Sequence, residues 1–295
     1  MLNKLVFLCQ RTQTSLKTYL EQALAQTHQV IEVGDGYIYA KGTFPVLLVA
    51  HLDTVHLDIP KDIEYDPELG ILSSPQGIGG DDRCGVYMIL EIIKKVNCSV
   101  LFCEDEECGC VGADKFVDTY PIEEINANYI VELDRKGSND AVFYACDNPK
   151  FTEFVTQEFF SENYGSFTDI SVVAPALKRA AVNLSCGYYK PHTKDEYIVI
   201  PEMQRVIEEV CKLLDRTGET DVFEYIEAKQ NASSKSMYYG NEERYYIEYE
   251  IDNGETDYDQ IIAANDIEAV GAFLMEHPDT TFNQIVGFFR ESDFT

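Results

Sequence analysis

The chain has 295 residues, with 23 basic and 52 acidic side chains and a net charge of −29. That balance excludes nucleic acid and anionic membrane as main partners, because both demand a surplus of Lys and Arg. An apolar fraction of 45% supports a packed core and excludes disorder over most of the length. No apolar run approaches the ~18 residues of a membrane span, and Leu5 to Cys9 is too short for a secretory core. The nine cysteines are odd in number, scattered and without a CxxC pair. This is the pattern of reduced thiols in a cytoplasmic protein.

In chain order, Ser15 to Ala25 reads as a helix, and Gln29–Val33 and Tyr37–Ala40 flank Gly34-Asp35-Gly36, a hairpin signal. Val46 to Ala50 is a continuous apolar run, as a fully buried strand requires. Val86, Ile89, Leu90 and Ile93 recur at helical spacing. Ser99–Cys103, Tyr129–Leu133 and Ala181–Leu184 are further buried-strand candidates. Pro201 suits the first turn of a last core helix, with Met203, Val206, Ile207, Val210 and Leu214 on one face. The alternation predicts an α/β fold, a mostly parallel, mixed central sheet with helices on both faces.

Acidity is uneven along the chain. Residues 218–295 carry 18 acidic and 4 basic side chains, against 34 and 19 in the first 217. The polar stretch 229–240 reads as a linker, between a core domain at 1–228 and a small acidic α+β appendage at 241–295. In the appendage, Tyr245–Ile251 reads as a β element. Tyr258–Ala264, Asp266–Glu276 and Thr281–Phe288 read as helices, with Pro278 between the last two.

Four strand candidates end on side chains able to hold a metal. Val46–Ala50 runs into His51-Leu52-Asp53, and Val100–Cys103 into Glu104-Asp105-Glu106-Glu107. Tyr129–Leu133 runs into Asp134, and the run ending at Leu184 is followed after a Gly-Tyr-Tyr turn by His192. In an open α/β sheet these ends share one edge, where ligands bind. Gly79-Gly80-Asp81-Asp82 opens a helix nearby in sequence. Singly, each piece has a plainer reading. Asp81-Asp82 suits a helix N-terminus, Glu104–Glu107 a solvated acidic loop, Asp134 a turn and His192 an ordinary surface. Together, imidazole and carboxylate without thiolate suit zinc, manganese or cobalt in a hydrolytic site.

The ordered set His51-Leu52-Asp53, Gly80-Asp81-Asp82-Arg83, Asp105-Glu106-Glu107-Cys108-Gly109, Leu133-Asp134 and Pro191-His192-Thr193-Lys194-Asp195-Glu196 resembles the co-catalytic dinuclear zinc peptidases. That clan includes aminopeptidases, tripeptidases and amino-acid deacylases. The resemblance covers roughly residues 45–215. It implies five ligands to two divalent metals. Asp81 bridges both, joined to Asp82 by a cis peptide, while His51 and Asp134 complete one metal and Glu107 and His192 the other. It also implies Glu106 as general base on a metal-bridging water, and Asp53 as the carboxylate that fixes the His51 tautomer. Many relatives carry an extra lid domain between the strand-end Asp and the last His. Here those two are 58 residues apart, so the expectation is a compact form without a lid.

Other residues have weaker claims. Gly165-Ser166-Phe167-Thr168-Asp169 shapes the pocket or simply caps a helix. Tyr188 and Tyr189 stabilise an oxyanion or pack the core. Cys108 and Cys110 flank Gly109 and invite a thiolate ligand, which the carboxylate set makes unnecessary. Arg135 and Lys136 hold a substrate carboxylate or line a solvated turn. His28, His56 and His277 stand in no motif. The expected function is cleavage of short peptides by an intracellular aminopeptidase. An N-acyl amino acid deacylase with the same site is the near alternative, and a non-catalytic binding protein on a peptidase fold the distant one. Self-association and protein binding by the appendage are left open.

Overall fold

The computed structural model describes residues 2–56, 58–165, 167–218, 220–228, 243–251, 255–263 and 285–290. Two compact units divide the chain, Met1–Ala228 and Lys229–Thr295. The expected linker and the helix at Asp266–Glu276 lie outside the described residues.

The first unit opens with helices α1 (Leu2–Cys9) and α2 (Gln13–Leu24), then strands β1 (Val30–Gly34), β2 (Tyr37–Lys41) and β3 (Phe44–His51). Two short strands follow, β4 (Glu64–Asp66) and β5 (Ile71–Ser73), and then α3 (Gly80–Ile92), β6 (Cys98–Cys103), α4 (Val111–Thr119) and β7 (Tyr129–Arg135). Next come β8 (Asp140–Val142), α5 (Pro149–Thr156), β9 (Ser161–Asn163), α6 (Asp169–Leu177) and β10 (Ala181–Ser185). The unit closes with β11 (Tyr188–Tyr189), β12 (Tyr197–Val199) and α7 (Ile200–Asp215).

Eight strands form one sheet in the order β1-β2-β6-β3-β7-β10-β8-β9. The four central strands β6, β3, β7 and β10 are parallel. They are the four that the apolar runs predict. The β1–β2 hairpin adds an antiparallel edge against β6. A second sheet, β11-β12-β5-β4, is antiparallel throughout.

Side chains along a strand alternate between faces, and the core records that alternation. Val46, Leu48, Ala50, Val100, Phe102, Val131 and Leu133 pack on one face with α1, α2, α3, α5 and α7. Leu47, Val49, Leu101, Cys103 and Ile130 pack on the other face against α4 and α6. Each fully buried Leu, Ile or Val contributes about 1.5–3 kcal/mol, so strands buried on both sides hold the sheet firmly. His51 keeps the parity of Leu47 and Val49, and Asp134 that of Ile130. Both ligand candidates therefore leave the sheet on the α4–α6 side.

α3 is buried along nearly its whole length. It lies close against β7, because a Cβ added at Gly85 would come within 1.7 Å of the Leu133 carbonyl oxygen. No helix among the described residues is long and apolar enough to cross a membrane. All nine cysteines are free thiols, and only Cys108 is exposed.

The second unit corrects two expectations. Its described residues form three antiparallel strands, β13 (Glu243–Ile251), β14 (Glu255–Ala263) and β15 (Ile285–Arg290), in the order β14-β13-β15. Of the helices expected at Tyr258–Ala264 and Thr281–Phe288, residues 258–263 lie on β14 and residues 285–288 on β15, and the rest lie outside the described residues. β14 pairs with β13 along its full length, from Glu243↔Ala263 to Ile251↔Glu255. Ladder pairing of this kind overrides local helical preference.

Candidate metal centre

The parallel strands deliver their C-terminal ends to one edge, and there the predicted residues meet. His51 ends β3 and is 1% exposed. Its Nδ1 lies 3.0 Å from Asp53 Oδ1, and its Nε2 lies 3.1 Å from Asp81 Oδ1 and 3.4 Å from Asp134 Oδ1. Asp53 also accepts the backbone N–H groups of Glu106 and Glu107, each at 3.0 Å. One carboxylate thus orients the imidazole and the loop that carries both glutamates. On the opposite side, His192 Nε2 lies 3.2 Å from Asp81 Oδ2 and 3.1 Å from Glu107 Oε1. The two oxygens of Asp81 therefore face two different histidines.

Local backbone explains how Asp81 reaches this place. Gly79 adopts φ +67°, the left-handed conformation that glycine takes without cost. The Asp81–Asp82 peptide is cis, and both residues have non-helical backbone at the head of α3. Asp82 turns inward, accepting the N–H of His51 at 3.2 Å and that of Gly85 at 2.9 Å. Glu196 braces the same segment, accepting the N–H of Gly79 at 2.8 Å and of Asp81 at 2.9 Å. His56 Nε2 lies 2.8 Å from the same Glu196 carboxylate. The sequence assigned no role to Glu196 or His56. The only signal was Glu196 closing the late His motif.

Around Asp134, the Thr168 hydroxyl donates to Oδ2 at 3.1 Å and the Tyr188 hydroxyl to Oδ1 at 3.3 Å. Tyr188 is thus spent on a carboxylate, and the Tyr189 hydroxyl bonds Glu202. Thr168 caps α6 in a capping box with Ser171, and Asp169 behind it is fully buried with neither carboxylate oxygen hydrogen-bonded. Arg135 is bonded to Asp140 at 3.3 Å, which ties up that cation, while Lys136 is exposed. Cys110 is buried with its sulfur 3.7 Å from Glu106 Oε1.

Crowded carboxylates repel one another, and the titration of the site reflects it. Burial pushes Asp134 up to about 7, with Asp81 adding to the effect. Burial also raises Glu107, and lifts Glu106 well above its ordinary range. The Asp81 and Glu107 carboxylates push His192 up to about 11. Burial opposes charge on His51, yet Asp134 and Asp53 outweigh it and hold its pKa well above normal. Burial is likewise outweighed at Asp81, which His192 and His51 hold well below the usual carboxylate range. Such crowding of carboxylates marks a candidate functional site.

The residues present fit metal ions. His51, Asp81 and Asp134 bring one ligand atom each within 4.8 Å of one another, as do Asp81, Glu107 and His192, and as do His51, Glu106 and Glu107. Glu107 Oε1 is buried, and its 3.1 Å approach to His192 Nε2 lacks hydrogen-bond geometry, so a cation shared by the two would satisfy both. Imidazole nitrogen and carboxylate oxygen suit zinc, with manganese and cobalt as close alternatives.

Fold and site together resemble those of the co-catalytic dinuclear zinc peptidases. Residues 38–181 match the model of Peptidase family M28, so the core is a peptidase domain. The structure resembles aminopeptidase PepT from Bacillus cereus, with a TM-score of 0.61 at 15% identity over 72% of this chain and 97% of that one. It also resembles a tripeptidase from Staphylococcus aureus, with a TM-score of 0.58 at 13% identity over 72% and 96% of the two chains. An aminopeptidase from Desulfurococcus kamchatkensis gives 0.56 at 12% identity over 73% and 94%. A search of curated protein sequences gives no match.

Proposed function

We propose that the core is a two-metal aminopeptidase acting on short peptides. The observation that carries this reading is Asp81, whose Oδ1 lies 3.1 Å from His51 and whose Oδ2 lies 3.2 Å from His192. A carboxylate shared in this way joins His51 and Asp134 on one side to Glu107 and His192 on the other. These five residues would hold two divalent ions, zinc by preference. Such ions lower the pKa of a shared water and polarise a scissile carbonyl.

The chain's own residues do the rest. Asp53 accepts from His51 Nδ1 and leaves Nε2 free to serve as the ligand atom. Glu106 is not one of the five, and its carboxylate lies beside His51 and Glu107, where it is placed for proton transfer. It takes a proton from the attacking water and delivers it to the leaving amine. Substrate polarity follows from charge. With a net charge of −29 and Arg135 held by Asp140, the rim attracts a free peptide amine and repels an acyl amino acid carboxylate.

The test compares kcat/KM for one peptide with a free N-terminus and the same peptide N-acetylated, at low and high salt, with and without chelator. The free amine should be preferred strongly, the preference should shrink as salt rises, and chelation should abolish cleavage. Equal or better cleavage of the acetylated peptide would replace this reading with a deacylase or endopeptidase.

A further inference from the structure

The loop that carries Glu106 and Glu107 is held from outside the matched family segment. Its first residue, Asp105, has φ +59°. A non-glycine residue in the left-handed region needs other contacts to hold it there. Those contacts come from α2. The Gln13 Nε2 amide donates to Asp105 Oδ1 at 2.8 Å, and Gln13 Oε1 accepts the Asp105 backbone N–H at 3.2 Å. One turn on, Lys17 pairs with Glu104 and donates to the Gly34 carbonyl oxygen at 2.8 Å. The turn before α2 is fastened as well, since Arg83, three residues after Gly80 at the head of α3, donates to the Arg11 carbonyl oxygen at 3.2 Å.

The hydrogen bonds form an unbroken series. Gln13 holds both polar faces of Asp105. The next two backbone N–H groups, of Glu106 and Glu107, donate to the two oxygens of Asp53. Asp53 in turn meets His51 Nδ1. The conformation of Asp105 decides whether those two N–H groups point at Asp53. We propose that Gln13 is a positioning residue, which acts through Asp105 to set the aim of Glu106, Glu107 and His51. Its importance for catalysis rests on the peptidase reading; its hold on the loop does not.

The geometry permits an exchange of donors and acceptors. Gln13→Glu alone places two carboxylates against each other and breaks the pair. Combined with Asp105→Asn, the amide moves to the other partner and both hydrogen bonds re-form. A residue that merely fills space gives no such rescue.

The experiment is amide hydrogen exchange on the full chain, metal-free, read at Glu106 and Glu107. Gln13→Ala and Gln13→Glu should each speed exchange there by about fivefold or more, the factor one ordinary hydrogen bond is worth. Exchange in the central strands should stay unchanged. The Gln13→Glu/Asp105→Asn pair should return to within about twofold of wild type. In parallel, kcat on the free peptide should fall in the single variants at nearly constant KM and recover in the double. Unchanged exchange in Gln13→Ala, or no recovery in the double variant, overturns the proposal. A wild type that cleaves no peptide while the exchange pattern holds overturns the peptidase reading and leaves the positioning role standing.

Discussion

Glu106 and Glu107 are adjacent, yet the proposed function gives them different work. Glu107 Oε1 sits 3.1 Å from His192, whereas Glu106 Oε1 has the Cys110 thiol as its neighbour. Glu106→Gln should therefore keep its metal while kcat falls by about 10²–10⁴, the usual worth of a general base. Glu107→Gln should lose metal first. Elemental analysis beside steady-state kinetics separates the two, and the opposite pattern exchanges the roles. At this scale the sequence was legible wherever a candidate ligand followed a buried strand, as His51 and Asp134 do. The braces were not legible. Glu196 reaches Asp81 across 115 residues, His56 reaches Glu196 across 140, and Gln13 reaches Asp105 across 92. Side-chain pairs at such separations leave no periodicity to read.

The head of α6 sets two effects against each other. A helix N-terminus favours an anion, but burial pushes Asp169 up to about 7, helped by Asp53 and Asp134. Between its ordinary value of 3.8 and about 7, the native protein holds a proton that the unfolded chain has released. Stability contributed by that proton is present below the unfolded value and is lost as pH rises through the folded one. Metal-free protein should accordingly weaken across this window, and Asp169→Asn should flatten the decline. Denaturant titrations at several pH values give the slope, and equal slopes would return Asp169 to the ordinary range. Elements with long apolar runs, such as β3, β6 and β7, declare themselves because burial on both faces demands continuous hydrophobicity. The three-residue strands β4, β5 and β12 are too short to carry a pattern. β14 and β15 misled because their apolar residues are compatible with either period.

Across the whole molecule, the last stretch of the first unit sets where the chain can be cut. Phe223 donates its N–H to the Asn128 carbonyl oxygen at 2.9 Å, and its ring packs on Tyr129, Phe151 and Phe154. Ala228 reaches back to Ala145 at 2.8 Å. A chain ending at Lys229 should stay folded and keep its activity, whereas one ending at Thr217 should lose several degrees of Tm through the uncovered aromatic cluster. Melting curves and peptide hydrolysis on both truncations decide this, and an insoluble 1–229 fragment would show that the acidic tail is needed. The contact at Gly85 bears on the same whole. Because α3 and β7 meet backbone to backbone there, the gap between Asp81 and Asp134 is set by main-chain atoms, not by the size of intervening side chains. Descendants of this sequence can therefore exchange Leu, Ile, Val and Met through the interior over evolutionary time while the separation of these two carboxylates stays constant. Position 85 is left with a single permitted residue.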